Sequence, residues 1–388
     1  MTKKLVVLGK GTAGALAMSH YAKWLSDYDL EWHYDPLTPT QAVGEGSTLG
    51  FPSNLYENLN FTHNDLKHID GSFKSGISKD GWGENGGYHF HDFTPPFVSY
   101  HFNAIKLQEY IYSKLKDKVK LVEHNTTSDA IDADFVMDCS GRPTTFEDFD
   151  IPKYVPVNAV YVTQCYWNHP EFQYTLSDAR PHGWVFGIPL QNRCSIGYMY
   201  NKDITTLEEV KEDVKHMFKK YNLTPSETTN SFSFNNYKRK MNYTDRIAYN
   251  GNASFFLEPL EATSISMMNV INRSAYEVWV TKKPVNLLND LYHTTLTQIE
   301  RFLMMHYFAG SSFKTPFWEF AQERGARCME EAKTDEHFKY MIAMQKKAKS
   351  VSDCSAIKVQ DYGVWWLGSF YQTIKGLDIE QKLEKVFS

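Results

Sequence analysis

The sequence predicts an α/β protein that opens on a parallel-sheet unit, passes through a sheet-rich middle and ends in a helical lobe. Three observations predict it. A short apolar run at the N-terminus meets glycines at G-x-G-x-x-G spacing. Strand-like alternation occupies residues 154–200. Helical periodicity runs from residue 287 onward. With 388 residues, 42% of them hydrophobic and 22% charged, the chain suits a packed globular protein too large for one small core.

The first element is Leu5-Val6-Val7-Leu8, which reads as a buried parallel strand. Residues 13–24 read as the helix after it. Gly9, Gly11 and Gly14 suit the tight turn between them, where bare backbone amides can approach a pyrophosphate at the helix N-terminus. Gly9, Gly11, Thr12, Ala13 and Gly14 are therefore candidate dinucleotide-binding residues. Residues 30–34 read as the second strand. Asp35 at its end is placed either to hold a ribose hydroxyl or to make an ordinary turn before Pro36.

Residues 42–50 form a glycine-rich polar loop with Gly44 and Glu45, suited to lying against a flat polar ring or simply to the surface. Residues 71–82 bring Lys74 into a glycine-rich, partly apolar segment; from spacing alone such a lysine is a solvated charge. His89 and His91 fall on one strand face, Asp92 points the other way, and no cysteine is near, so no metal site is expected. Residues 103–115 read as an amphipathic helix that buries Ile105, Tyr110, Ile111 and Leu115.

Residues 133–141 form a second apolar strand ending in Asp138, Cys139, Ser140 and Gly141, another place where a strand end can meet a nucleotide. Residues 183–190 read as a core strand stopped by Pro189, with Trp184 and Phe186 on one face. Thr205-Thr206-Leu207-Glu208 reads as a capping box, followed by Leu207, Val210, Val214 and Phe218 at helical spacing. Residues 247–267 hold glycine, small residues and two carboxylates ahead of a helix expected from Ile265. In the C-terminal helices Leu291, Leu296, Ile299, Phe302 and Leu303 are expected to be buried.

A net charge of −5 gives no electrostatic reason to bind nucleic acid. The five cysteines are scattered and form no C-x-x-C, as expected of free thiols in a reducing compartment. No run approaches the length of a membrane span, and the N-terminal apolar run is too short for a signal peptide. A cytoplasmic protein with no membrane partner is the expectation. Aromatic residues make up 15% of the chain, which serves either aromatic-rich cores or flat pockets for a planar ligand.

Several stretches, in order, resemble the flavin-dependent halogenases of the tryptophan halogenase family. They are Gly9-Lys10-Gly11-Thr12-Ala13-Gly14, the Gly44-Glu45 loop, Phe73-Lys74-Ser75-Gly76-Ile77 and Phe256-Leu257-Glu258-Pro259-Leu260-Glu261. Trp184-Val185-Phe186-Gly187-Ile188-Pro189 resembles the family's W-x-W-x-I-P with Phe at the second Trp, and His306-Tyr307 with Thr315-Pro316-Phe317-Trp318 resembles a further family pattern. The resemblance implies a Rossmann-like FAD-binding domain of the flavin monooxygenase type, with a β-sheet substrate region and an added helical lobe. Residues 1–275 would form the FAD-binding and sheet-rich core, its FAD module discontinuous, and residues 276–388 the mainly helical substrate-side lobe.

It also implies FAD delivered as FADH2 by a separate NAD(P)H-dependent flavin reductase. With O2 and a halide this yields hypohalous acid, which Lys74 holds or carries to an electron-rich aromatic substrate. Glu261 would assist Lys74 or take the proton lost from the substituted ring. Gly44, Glu45, Trp184, Gly251, Asn252 and Pro259 would join the N-terminal turn and Asp35 around the flavin, with Trp184 and Phe186 walling it from the lysine chamber. Thr263 and Ser264 would hold the halide.

The chain departs from the pattern in two places. Glu261-Ala262-Thr263-Ser264 stands where E-S-T-G is usual, and Gly251-Asn252-Ala253 where G-D-A is expected. The altered halide loop leads us to expect bromide or iodide to be used better than chloride. The residues that clamp free tryptophan cannot be placed, so that substrate is not carried over. Trp365 and Trp366 fit helix packing better than a pocket. The competing readings are a flavin-dependent aromatic hydroxylase of the same fold and a flavin-binding protein without activity; the substrate's identity and any homo-oligomer stay open.

Overall fold

The computed structural model describes residues 2–38, 46–94, 96–167 and 170–388. Gly44 and Glu45 lie outside them. By backbone proximity the chain divides into two compact units. The first comprises Met1–Ser72, Ser99–Ile151 and Tyr237–Thr294, and the second Phe73–Val98, Pro152–Asn236 and Thr295–Ser388.

The first unit is built on a five-stranded sheet in the order Ile247–Tyr249, Phe135–Asp138, Lys4–Leu8, Asp29–Tyr34, Lys120–Glu123. Every pairing is parallel. Val6, Leu8, Val136 and Ile247 bury one face with Ile131. Leu5 and Val7 point the other way and are equally inaccessible, so the apolar run is continuous because both faces are covered. Helix Thr12–Trp24 follows and buries every residue from Ala13 to Ala22. Its small alanines suit close packing, and it contacts helices Ala104–Leu115 and Thr263–Trp279. Helix Ala104–Leu115 is capped by Asn103, whose side chain accepts from the amides of Ile105 and Lys106. Its buried stripe includes Leu107, Ile111 and Leu115. Ile105 is 44% exposed, contrary to the periodicity reading, because it sits in the capped first turn away from that stripe.

His20 on the first helix is buried between neutral amides. Its Nε2 lies 3.0 Å from Asn269 Oδ1, and Asn58 Nδ2 lies 2.9 Å from its Nδ1. Burial lowers its pKa to about 4. The unfolded chain therefore binds one more proton than the folded chain between pH 6.5 and 4. Stability attached to this group is complete above pH 6.5 and is lost as the pH falls toward 4, by about 2–3 kcal/mol. Urea titrations at pH 7.5 and 4.5 should show the acid loss shrink by that amount in His20→Gln.

The second unit holds a seven-stranded sheet in the order Thr224–Ser233, Ala159–Tyr166, Arg193–Tyr200, Gly183–Pro189, Thr175–Arg180, Gly76–Asp80, His89–Asp92. Its strands pair antiparallel except Gly76–Asp80 with Thr175–Arg180. Tyr161, Leu176, Val185, Ile196 and Tyr198 on one face pack with Val210, Val214 and Met217 of helix Leu207–Lys220. The helix begins at a capping box one residue later than the sequence reading. Thr206 caps it and Glu209, not Glu208, returns the bond. Strands Thr175–Arg180 and Thr224–Ser233 carry little apolar alternation, which is why pattern alone passes over them; the second is an exposed polar edge.

In the C-terminal helices Leu296, Ile299, Phe302 and Leu303 are buried as expected, whereas Leu291 is 47% exposed. Trp365 stacks on Phe302 with ring centroids 4.0 Å apart, a packing role. All five cysteines are free and buried. Among the described residues no group of His, Cys, Asp and Glu could hold a metal ion, and no helix is long and apolar enough to cross a membrane.

Candidate active site

In the first unit the glycine turn is drawn tight by its own backbone. Gly9 has φ +103°, and a Cβ there would lie 2.2 Å from the carbonyl oxygen of Cys139. A Cβ on Gly14 would lie 1.9 Å from the carbonyl oxygen of Gly9. That same oxygen accepts a 2.8 Å bond from Trp32 Nε1, which pins the turn to the second strand. Gly11 differs: among the described residues nothing lies within 4 Å of where its Cβ would be. The helix that starts at Thr12 has neither a side-chain cap nor an acidic residue in its first turn. Its amides face an open cradle bounded by Gly11, which fits the phosphates of a dinucleotide.

The strand ends and the later loop meet this turn. Cys139 donates its amide to Leu8 O at 2.7 Å, and Asn250 to Asp138 O at 2.8 Å. Burial pushes the Cys139 thiol well above its ordinary pKa, so it is an inert part of the wall. Gly251 has φ +57°, and a Cβ there would lie 2.6 Å from that of Ala13. The structure thus brings Gly251 onto the first turn of the helix, 238 residues away in the chain by subtraction of the two residue numbers. Asn252 offers its carbonyl to Tyr237 OH at 2.8 Å. Asp35 uses its carboxylate locally, accepting from the Leu37 amide at 2.8 Å and from Thr38 Oγ1 at 3.1 Å.

Glu258 and Glu261 are both buried; Glu258 precedes and Glu261 lies within a turn in which the Ala262 amide donates to Pro259 O at 2.9 Å. Ala262 takes a left-handed conformation at φ 53° and caps helix Thr263–Trp279. Thr263 and Ser264 are the first two residues of that helix, so their amides belong to its unsatisfied N-terminal turn. Ser264 does not adopt a positive φ. The backbone therefore has no need of the glycine usual at this position, and Ser264 adds a hydroxyl. Gly46 lies against Ala262 and His101.

In the second unit Lys74 ends strand Ser72–Lys74 and is completely inaccessible to solvent. Its ammonium lies 5.5 Å from the centroid of Phe93. The chain after it is clamped by two neighbours: the Ser75 amide donates to Gln173 O at 2.8 Å, and Ser75 O accepts from Phe93 at 3.0 Å. Gly76 must lack a side chain, because a Cβ there would lie 2.4 Å from His91 O.

Trp184 and Phe186 share a face of strand Gly183–Pro189, with centroids 6.2 Å apart. Trp184 Nε1 donates to Tyr307 OH at 2.9 Å. Phe186 lies over Gly197, where a Cβ would fall 2.0 Å from its ring. Trp82, absent from the sequence-predicted site, sits at the hub of this aromatic wall. Its centroid is 5.1 Å from Trp318, 5.6 Å from Tyr307 and 6.4 Å from Trp184. Its position at the end of the Lys74 segment was the one available signal.

The tryptophan halogenase family profile matches residues 4–124 and 106–385. The tryptophan 7-halogenase RebH of Lentzea aerocolonigenes is 21% identical over 82% of this chain and 79% of its own length. The tryptophan 7-halogenase KtzQ of Kutzneria sp. is 23% identical over 60% of this chain but only 46% of its own. The crystal structure of the tryptophan 6-halogenase SttH from Streptomyces toxytricini superimposes with a TM-score of 0.78 at 17% identity, covering 100% of this chain and 95% of that one. Xcc4156, a flavin-dependent halogenase from Xanthomonas campestris, gives 0.79 at 16% identity, covering 100% and 94%. The chain belongs to the tryptophan halogenase family and is an enzyme of the flavin-dependent halogenase class.

Proposed function

We propose that this chain is an FADH2-dependent halogenase that substitutes an electron-rich aromatic ring through Lys74. The observation that carries the reading is a wholly buried lysine at the family's lysine position, held on a clamped strand in a chain that keeps the open Gly11 cradle. FAD, bound in its reduced form, would supply two electrons to O2; the O2 so activated would oxidise halide to hypohalous acid, with oxidised FAD and water as the other products. Gly9, Gly11, Thr12, Ala13, Gly14, Asp35, Gly44, Glu45, Trp184, Gly251, Asn252 and Pro259 are the residues we assign to holding it. The amides of Thr263 and Ser264 would hold the halide.

The chemistry assigned to the protein's own groups is modest. Lys74 hydrogen-bonds hypohalous acid through its ammonium or accepts the halogen on its amine, and presents it to the ring. Trp184 and Phe186 exclude water from that chamber and keep the oxidant from dissipating. Glu261 takes the proton that leaves the substituted carbon. In this reading residues 1–275 carry the flavin-binding core and residues 276–388 the substrate-side lobe.

The test is a mass-spectrometric screen with FAD, an added flavin reductase, NADH and each halide against indoles, phenols and anilines. A mass increase matching replacement of H by halogen is expected, with bromide or iodide giving more product than chloride. Mainly chlorinated product in a halide competition would refute the halide preference. Hydroxylated product alone would assign the chain to the hydroxylases of this fold, and no product despite flavin binding would leave a binding protein.

A further inference from the structure

The sheet of the second unit carries a polar row that the assigned chemistry does not use. The register places Lys79 opposite His89 on one side and Ser177 on the other, Ser177 opposite Phe186, and Phe186 opposite Gly197. Residues directly opposite share a face, so His89, Lys79, Ser177 and Phe186 form one line across the strands at about 4.8 Å spacing. Trp184, two residues before Phe186, is on this face as well. The other face is the one packed on helix Leu207–Lys220.

Lys79 is completely inaccessible to solvent. Ser177 is 2% exposed, and its Oγ has no hydrogen-bond partner among the described residues. Its carbonyl accepts from Trp82 Nε1 at 2.8 Å, which sets the indole of Trp82 beside the row. Helix Leu367–Gly376 covers the His89 end: a Cβ on Gly376 would lie 2.1 Å from His89 Nδ1. One turn earlier Thr373 is fully buried, and its Oγ1 also lacks a partner among the described residues.

Three donor side chains therefore stand in line, and the hydroxyls of one of them, Ser177, and of Thr373 on the covering helix have hydrogen-bonding capacity to spare among the described residues. A buried hydroxyl left unbonded costs about 1–3 kcal/mol, a cost that a ligand oxygen would relieve. The same face continues into Phe186, Trp184 and Trp82, flat apolar surfaces suited to an aromatic ring. We propose that Lys79, with Ser177 and His89, binds the carboxylate of an aryl carboxylic acid whose ring lies toward the aromatic wall. The inference names the substrate class of the proposed halogenase and rests on that reading for the fate of the ring, but not for recognition of the carboxylate.

The purified full-length protein is titrated calorimetrically with indole-3-acetate and with its neutral counterpart indole-3-acetamide. The acetate should bind at least about tenfold more tightly, the scale of a hydrogen bond to a charged group. Lys79→Met should abolish that gap and Ser177→Ala should narrow it, with affinity for the amide kept within about twofold. Should Lys79→Met fail to fold by circular dichroism, Lys79→Gln takes its place. Equal affinities in the wild type, no measurable binding of the acetate, or a gap that survives Lys79 substitution would overturn the proposal. So would bromide binding that depends on Lys79 without any carboxylate preference, which would make the row a halide site. Halogenation of both compounds with no carboxylate preference overturns this inference alone. A Lys79-dependent preference without halogenated product upholds it and overturns the halogenase reading.

Discussion

Lys74→Ala is expected to lower halogenation by about 10²–10⁴-fold, the scale of removing a positioned proton-transfer or nucleophilic group, while flavin affinity stays unchanged. Lys74 is not among the residues assigned to the flavin, whose glycine turn belongs to the first unit. Because the side chain is wholly buried, truncation also leaves a cavity. Lys74→Met controls for it by restoring most of the volume without a nitrogen, and should be as inactive as the alanine variant while melting closer to the wild type. The decisive readout is halogenated product by mass spectrometry under saturating flavin reductase, beside a flavin binding isotherm for each variant. Turnover unchanged in Lys74→Met would remove this lysine from the chemistry. Loss of flavin binding together with turnover would mean that the substitution acts through the fold.

How far the sequence discloses this arrangement depends on the range of the forces involved. The Leu5-Val6-Val7-Leu8 strand and its turn are legible because strand, glycine spacing and helix are contiguous. The reason for two of the glycines becomes visible only in three dimensions, where Cys139 O and Gly9 O occupy the space a Cβ would need. Lys74 shows the reverse. Its segment is polar and glycine-rich, so composition favours solvent, yet the residue is buried because Gln173 and Phe93 close on both sides of Ser75. Strand Thr175–Arg180 is hidden for a related reason: Ser177 and Asp178 are sheltered by neighbours distant in sequence. Lys220 Nζ donates to Asp178 Oδ2 at 2.6 Å and Tyr221 OH donates to the same oxygen at 2.7 Å, but burial still raises the Asp178 pKa. The line His89–Lys79–Ser177–Phe186 exists only as a register between strands, and no local pattern encodes register. The family resemblance reached the lysine, wall and carboxylate positions because their motifs are short and contiguous; Trp82 and Lys79 belong to no such motif.

Gly11→Val and Gly14→Ala should fail in opposite ways. At Gly14 an added methyl would sit 1.9 Å from a backbone oxygen that cannot yield without breaking the turn. Alanine gains about 1 kcal/mol of helix propensity over glycine, far less than such an overlap costs. Net destabilisation of about 3 kcal/mol or more is expected, seen as a lower urea midpoint even without flavin. At Gly11 neither cost applies. Its φ of −69° and extended ψ of −177° are open to any residue, and no atom of the described residues lies within 4 Å of the new Cβ. Valine is a poorer helix cap than glycine, so the urea midpoint should correspond to a loss of about 1 kcal/mol at most. Its isopropyl group would nevertheless fill the cradle in front of the Thr12 helix amides, where we place the pyrophosphate. Flavin affinity should then fall by at least about a hundredfold, measured by quenching of flavin fluorescence on titration. A stable Gly11→Val protein that binds FAD like the wild type would show that the turn's open side serves no dinucleotide. A stable variant that has lost FAD would separate the glycine kept for the ligand from the two kept for the fold.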